Sequence, residues 1–265
     1  MILFEEMESY QDQAAGGDNP HGYMSSHSLA KFSASPRAWK NAKEDRGYNP
    51  AFSFGTAYHT LVGEGLAEYN QRHPIGDSAP VNPKTNKPYG KNTAKYKAWS
   101  AEQEEGTITA EDDANIHRMH ANLQQNQLAV NLLDEHCIPE AVMRGVVQGV
   151  AIQGRFDLWR GCNHNFVDIK TTRGLDGFPE DFKAFGYDRQ LAFYMLLARS
   201  NGYSPSGASI IACEKTGSMR TAVYNITEDT LNAAIERVQI ELRQFAACRS
   251  RDHYPAQIQT QPYEL

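Results

Sequence analysis

Gly154-Arg155-Phe156-Asp157 and, a turn later, Val167-Asp168-Ile169-Lys170-Thr171-Thr172 decide how this sequence folds. A strand turns successive side chains to opposite faces. On Phe166–Lys170 that rule groups Asp168 with Lys170 and sends Val167 and Ile169 to the other face, into a core. Asp157 lies eleven residues before Asp168, near the end of an earlier β-rich run, Val150–Trp159. The intervening Gly161-Cys162-Asn163-His164 has turn composition. Two adjacent antiparallel strands would then converge two carboxylates and one ammonium on a sheet edge. Paired carboxylates suit hard cations such as Mg²⁺ or Mn²⁺, which prefer oxygen ligands. An ammonium beside them can orient a water and offset charge building on a phosphate.

Other stretches stand in order around this pair. Upstream are Met24-Ser25-Ser26-His27-Ser28-Leu29, leading into Ser35-Pro36-Arg37-Ala38-Trp39-Lys40, and Phe54-Gly55-Thr56-Ala57-Tyr58-His59-Thr60-Leu61-Val62. Downstream is Gln190-Leu191-Ala192-Phe193-Tyr194. Asp-x₁₀-Asp-x-Lys resembles the core of the PD-(D/E)XK nuclease superfamily, and the later QxxxY resembles its RecB-type branch. With the upstream pieces the sequence is similar to RecE-like nucleases, the exodeoxyribonuclease VIII family and its phage-borne relatives, from about Met24 to Tyr194.

That resemblance implies an α/β, restriction-endonuclease-like core: a central mixed β-sheet flanked by helices. It implies a metal-dependent DNA exonuclease acting 5′→3′ on double-stranded ends, leaving single-stranded tails for recombination by annealing. It implies one or two Mg²⁺ or Mn²⁺ ions per site, a homo-oligomeric ring threading double-stranded DNA, and a RecT-type annealing partner. Carried over residue by residue, it makes Asp157, Asp168, the Ile169 carbonyl, Glu140 and His59 metal ligands. Lys170 then orients the attacking water, and Gln190 supports catalysis. Two rivals share the motif: a restriction-type or structure-specific endonuclease, and an inactive DNA-end-binding recombination protein.

Taken alone, several of these residues keep a plainer reading. A lone His on an apolar helix is usually structural. Glu140, opening a strand, is as readily an exposed edge residue as a ligand. Gln190 and Tyr194 are four apart on Arg189–Arg199, a helix apolar nearly all round, so they share a face and must find partners. They form either a buried hydrogen-bonded pair or a DNA-binding pair in which Gln190 touches DNA or water and Tyr194 supports it. Arg37, Lys40 and Lys43 follow one helical side, as a solvated face or as phosphate contacts near a 5′ end. Lys84, Lys87, Lys91, Lys95 and Lys97 fall in or beside Ser78–Lys91, whose Pro, Gly and Asn content reads as a loop. That loop is either solvated or a strand guide that releases counterions. Thr171 opens a loop-rich stretch to Gly186 that would gate substrate entry, and is a further DNA-binding candidate.

Composition sets outer bounds. Of 265 residues, 22% are charged and 40% hydrophobic, ordinary for a globular domain. No apolar run nears the ~18 residues of a membrane span. The net charge of −6 argues against a basic surface at large, so a DNA interface would be a local channel on an acidic body. Cys137, Cys162, Cys213 and Cys248 form no CxxC pair, so neither a zinc ribbon nor a disulfide framework is expected. The close C-terminal cysteine spacing of iron–sulfur RecB-type nucleases is missing too, so no cluster is expected. Such thiols suit a reducing cytoplasm, and Met1-Ile2-Leu3-Phe4-Glu5-Glu6 does not resemble a secretory leader.

The organisation expected is a flexible, Gly-rich arm over 1–23, one domain over 24–250 and a polar, mobile or docking tail over 251–265. Ser26 or Ser28 would cap a helix over Leu29–Ser35, which Pro36 breaks or restarts. Phe54–Gly63 reads as a helix. Thr109 caps another, on which Ile116, Met119, Leu123, Val130 and Leu133 form a core stripe broken near Asn126. Glu140–Val147 and Val150–Trp159 form a hairpin about Gln148-Gly149. Ala208–Glu214 and Arg220–Ile226 complete a sheet of about five strands. Thr227 caps a last helix whose core face carries Leu231, Ile235, Val238, Leu242 and Phe245.

Overall fold

In the computed structural model the described residues are 2–3, 10, 12–16, 19–42, 50–75, 80–90, 92–101, 107–134, 137–161 and 164–258. Lys43, Lys91 and Cys162, and the tail beyond residue 258, lie outside them. The chain begins with β1 (Ile2–Leu3), α1 (Ser26–Ala34), α2 (Pro36–Asn41), α3 (Pro50–Gly63) and α4 (Leu66–Arg72). A small hairpin, β2 (Val81–Asn82) and β3 (Lys87–Pro88), precedes α5 (Ala94–Ala101), α6 (Ala110–Gln124) and α7 (Gln127–Leu132). The centre is β4 (Cys137–Val147), β5 (Val150–Arg160) and β6 (Phe166–Thr172), followed by α8 (Phe178–Ala184) and α9 (Tyr187–Ser200). Strands β7 (Ala208–Glu214) and β8 (Thr221–Asn225) lead into α10 (Glu228–Ser250).

The main sheet has the order β1-β4-β5-β6-β7-β8. It is mixed: β6 and β7 run parallel, joined by a helical crossover, and the other neighbours are antiparallel. The expected α/β sheet flanked by helices is therefore present, with β1 added to the five strands foreseen. Gln148 and Gly149 close the β4–β5 hairpin with φ of 53° and 73°, the left-handed pair that a two-residue turn of this twist requires.

Each face of the sheet carries its own core. On one, α1, α2, α9 and α10 bury Phe32, Trp39, Phe193, Leu242 and Phe245 against Phe156, Phe166 and Ile210. On the other, α3 and α6 bury Tyr58, Leu61, Ile116 and Met119 against Val167, Ile169 and Ile211. The sequence marks the helix starts well. Side chains of Thr109, Asn126 and Thr227 accept from the backbone N–H of Asp112, Ala129 and Thr230, so the break foreseen near Asn126 is the cap of a new helix. No described helix is long and apolar enough to cross a membrane.

Several expectations need correction. The first helix starts at Ser26, and Ser25 caps it, accepting from Ser28 N–H. Ser28 is instead buried: its hydroxyl donates to Ala15 O at 2.7 Å and accepts from Trp39 Nε1–H at 2.8 Å. That pins part of the supposed arm to α1 and α2. Ile2 and Leu3 pair with β4, Met24 bridges to Ile152, and Gln153 Nε2 donates to Tyr10 O at 2.8 Å. The tail is held as well where described: Arg37 N–H donates to Pro255 O, and the Tyr254 ring stacks on Trp39 at 5.8 Å. The stretch read as a gate loop holds α8, whose Phe178 is buried among aromatics. The Lys-rich loop contains β2 and β3.

One glycine sets the distance between sheet and helix. A Cβ on Gly154 would come within 2.8 Å of Leu197 Cδ2 and 2.9 Å of Tyr194 Cε1, closer than carbon atoms pack. Gly154→Ala is therefore expected to push α9 off β5 and to cost about 1–3 kcal/mol, as overpacked cores do. A urea denaturation midpoint below that of the wild type checks it.

Candidate active site

The site forms where the sheet forks. Strand β5 pairs with β4 along nearly its whole length, and β6 with β7, but β5 and β6 meet only at Leu158↔Val167 and Trp159↔Phe166. One step further the ladder would set Asp157 opposite Asp168. There the strands part, and Asp157 Oδ2 accepts the Ile169 N–H at 2.7 Å, replacing the missing backbone acceptor.

Glu140, on β4, lies across from Asp157 at a break in β4–β5 pairing. Its φ is +51°, a left-handed backbone that costs a non-glycine residue of order 1 kcal/mol or more and commonly marks functional sites. Both strands change phase here. Phe156 and Trp159 belong to one core while Leu158, between them, belongs to the other; Ile138 and Ala141 likewise share a core three residues apart. The break turns the acidic side chains of two neighbouring strands toward the fork.

Three carboxylates each meet a cation. Asp157 Oδ2 lies 3.6 Å from His59 Nδ1 on α3. Asp168 Oδ2 lies 2.7 Å from Lys170 Nζ, on the same strand face as the alternation requires. Glu140 pairs with Arg155 Nε. On the α9 side, Gln190 Nε2 donates to Asp168 Oδ1 and to the Tyr194 hydroxyl oxygen, both at 3.3 Å. Tyr194 donates in turn to Arg155 O at 2.9 Å. Lys170 Nζ sits 4.9 Å above the Tyr187 ring.

These surroundings drive the acids apart. Burial would raise the Asp157 carboxyl, but His59, Lys170 and the Ile169 N–H hold it at about 2. Burial, opposed by Lys170 and reinforced by Asp157, pushes Asp168 up to about 6. Burial and the Asp157 charge push Glu140 up to about 7 against Arg155 and His59. Burial favours neutral His59, yet the Asp157 carboxylate outweighs it and raises the imidazole above its ordinary value.

One ligand atom each from His59, Glu140 and Asp157 lies within 4.8 Å of the others. Two carboxylates and an imidazole fit a divalent cation by chemistry and spacing, and the imidazole suits Mn²⁺ better than Mg²⁺. Asp168, expected in the same ligand set, lies outside that triplet and is engaged by Lys170 and Gln190. Ile169 meets Asp157 through its N–H, with its side chain in the core.

The expected DNA contacts are placed less favourably. Tyr194 is buried against Phe156 and holds Gln190 and the β5 backbone. Thr171 points toward α3, near the space that Gly55 leaves by lacking a side chain. Arg37 and Lys40 stand on α2 beside the C-terminal segment, with Lys40 Nζ 5.5 Å over the Tyr254 ring. Two participants were not foreseen. Arg155, inside the quoted GRFD motif, neighbours Asp157 and has Glu140 as counter-ion. Tyr187 precedes Gln190 by three residues on α9, a spacing that already put it on the Gln190 face.

A family model for the PDDEXK-like domain of unknown function (DUF3799) matches residues 25–262. The chain belongs to that family. The resemblance read from Asp157, Asp168 and Lys170 to PD-(D/E)XK proteins stands with it. Among solved structures, a provisionally assigned exonuclease from Eubacterium rectale superposes with a TM-score of 0.65 at 14% identity, over 99% of this chain and 97% of its own, which shows a shared fold. A phage-related exonuclease from Haemophilus somnus, 12% identical over 74% of this chain and 94% of its own, has a TM-score of 0.35, too low to bear on the reading. The search of curated proteins found no match.

The shifted groups of this PDDEXK-like domain carry a pH signature. A carboxyl raised in the folded chain keeps its proton where the unfolded chain has lost it, so stability falls as pH rises through that window. The window runs from 4.5 to about 7 for Glu140 and from 3.8 to about 6 for Asp168. Raised His59 adds the same sign: its contribution is full below 6.5 and is lost as pH climbs through its folded value. In chelator, the thermal midpoint is expected to fall between about pH 5 and about pH 8. Mn²⁺ should recover most at the alkaline end, as calorimetry across that range would register.

Proposed function

We propose that this chain is a metal-dependent exodeoxyribonuclease that digests double-stranded DNA ends 5′→3′ and leaves single-stranded tails for recombination by annealing. The observation that carries the reading is the meeting of Asp157, Asp168, Lys170 and Gln190 at the fork of β5 and β6. Family membership and the exonuclease label of the Eubacterium rectale neighbour point the same way. The RecE-like resemblance supplies the direction of digestion, a ring of identical subunits, a RecT-type partner and the cytoplasm of a bacterial or phage-infected cell.

His59, Glu140 and Asp157 would hold the divalent ion, with Asp168 and the Ile169 carbonyl beside them. When bound, the ion supplies Lewis-acid stabilisation of charge on the phosphate. The chain's own groups do the rest. Lys170 donates to the attacking water and aims it at phosphorus in line with the leaving oxygen. Asp168 and the Tyr187 ring fix the direction of its ammonium. Gln190, clamped by Tyr194, keeps Asp168 in place. The Asp168 carboxylate takes the water's proton as the water oxygen bonds to phosphorus, and the bond to the leaving oxygen breaks, that oxygen taking a proton from solvent, which releases a mononucleotide.

Labelled linear duplex and closed circular duplex, incubated with Mg²⁺ or Mn²⁺, test this directly. The wild type should release mononucleotides from linear DNA and spare circles, with a 5′ label leaving first. Asp168→Ala and Lys170→Ala should each slow release by about 10²–10⁴-fold, the usual worth of a proton-handling or charge-stabilising group. Cut circles would favour an endonuclease. Undiminished rates in the variants would overturn the site.

A further inference from the structure

From the reacting centre a line of aromatic rings leads out to solvent. Lys170 Nζ lies over the Tyr187 ring, and the Tyr187 ring lies 5.8 Å from that of Phe185, tilted by 43°. Phe185 is 66% exposed, although Phe178 and Phe182 also meet the Tyr187 ring. Gly186, with φ of +66°, makes the sharp turn between α8 and α9 that sets Phe185 beside Tyr187. A phenyl ring left in water forgoes the apolar burial that favours folding. Nothing in the fold requires that exposure: α8 already anchors through Phe178.

Charge around the ring narrows what covers it. Asp176 and Asp188 are taken by Arg220 and Arg237. Lys183, in the last turn of α8, and Arg173, just past β6, are exposed, and no ion pair engages either among the described residues. An exposed ring two residues past the exposed Lys183, and one ring away from Lys170, matches a nucleobase followed by its phosphates.

Resting on the nuclease reading, we propose that Phe185 is a stacking platform. It receives the unpaired or frayed base next to the scissile phosphate, and Lys183 and Arg173 follow the backbone beyond. The platform holds the strand end by its base face rather than by hydrogen-bonded readout, so the site accepts any sequence.

A duplex with phosphorothioate linkages and 2-aminopurine stepped through its terminal positions tests this with the full chain. Wild type should quench the probe at one position near the end. Phe185→Trp should keep the quenching; Phe185→Ala and Phe185→Leu should lose it, with half-saturation rising about tenfold. An unchanged midpoint of unfolding confirms that the variants are folded. Wild-type quenching and affinity in Phe185→Ala, while the wild type still digests linear DNA, overturn the platform and leave the nuclease reading intact. Full affinity in Phe185→Leu overturns it too, since an apolar contact would then suffice. So does a lower sedimenting mass for Phe185→Ala, which would make the ring a contact between copies. A wild type that neither binds nor cuts the duplex removes both readings.

Discussion

The hydrogen bond from the Ile169 N–H to Asp157 is the constraint on which the rest depends. A sheet can open a cleft between neighbouring strands only by leaving backbone groups without partners, and a buried orphan costs about 1–3 kcal/mol. Here a carboxylate takes the place of the lost acceptor. The same oxygen atom ends the ladder, opens the fork and faces His59. An architectural necessity thus fixes a negative charge at the mouth of the cleft, with little freedom to move. The accumulated stabilisation also explains why the Asp157 carboxyl is lowered to about 2 while its neighbours Asp168 and Glu140 are pushed up to about 6 and about 7. Acids driven apart by their surroundings can take different tasks, one always charged and the others able to exchange protons near neutrality.

Helix α9 turns that fork into a site. Its buried face runs from Leu191 to Ala198, so its packing is set by apolar area and by Gly154, not by the polar pair it carries. Tyr194 nevertheless reaches Arg155 O, and Gln190 spans Tyr194 and Asp168. The position of a carboxylate on β6 is thereby tied to a helix docked on β5. The ion pair between Arg189 and Glu241 extends the linkage to α10, and Arg189 also donates to Ser33 on α1. Helix α9 is thereby fixed by α1 and α10 as well as by β5, which steadies a fork held by only two backbone-paired positions.

Much of this was legible in the sequence, for physical reasons that can be named. Period-two alternation placed Asp168 with Lys170 and sent Val167 and Ile169 to the opposite core. Turn chemistry placed the Gln148-Gly149 hairpin, and Thr109 and Thr227 announced their helices. What escaped depends on long-range geometry. Glu140 and Asp157 read as members of regular strands, whereas a left-handed residue shifts both strands in phase, and no local pattern encodes that shift. Ser28 looks like a cap because Ser is good at capping; its burial follows from Ala15 and Trp39, distant residues that no window around it contains. The contacts of Ile2, Leu3 and Tyr10 with the sheet, and of Tyr254 with Trp39, join residues far apart in sequence and leave no local signal. Gln190 and Tyr194 read either as a buried hydrogen-bonded pair or as a DNA-binding pair; the structure joins them by a hydrogen bond, and the tyrosine's further partner, the main chain of β5, lies outside any local window.

The charge arrangement bears on how such a site could meet both metal and DNA on a chain of net charge −6. Asp157, Asp168 and Glu140 face His59, Lys170 and Arg155, three acids against three bases, so the cluster is close to neutral as a whole. A divalent cation binding to His59, Glu140 and Asp157 would need a neutral imidazole and would compete with Arg155 for Glu140, releasing protons as it entered. The ion would make the fork more positive where, on the nuclease reading, a phosphate would arrive. A body that is acidic overall and a cleft that becomes basic only on loading are compatible, because screening confines the repulsion of distant carboxylates to about 10 Å at ordinary salt. Affinity for nucleic acid would then follow from metal occupancy rather than from a permanently basic surface.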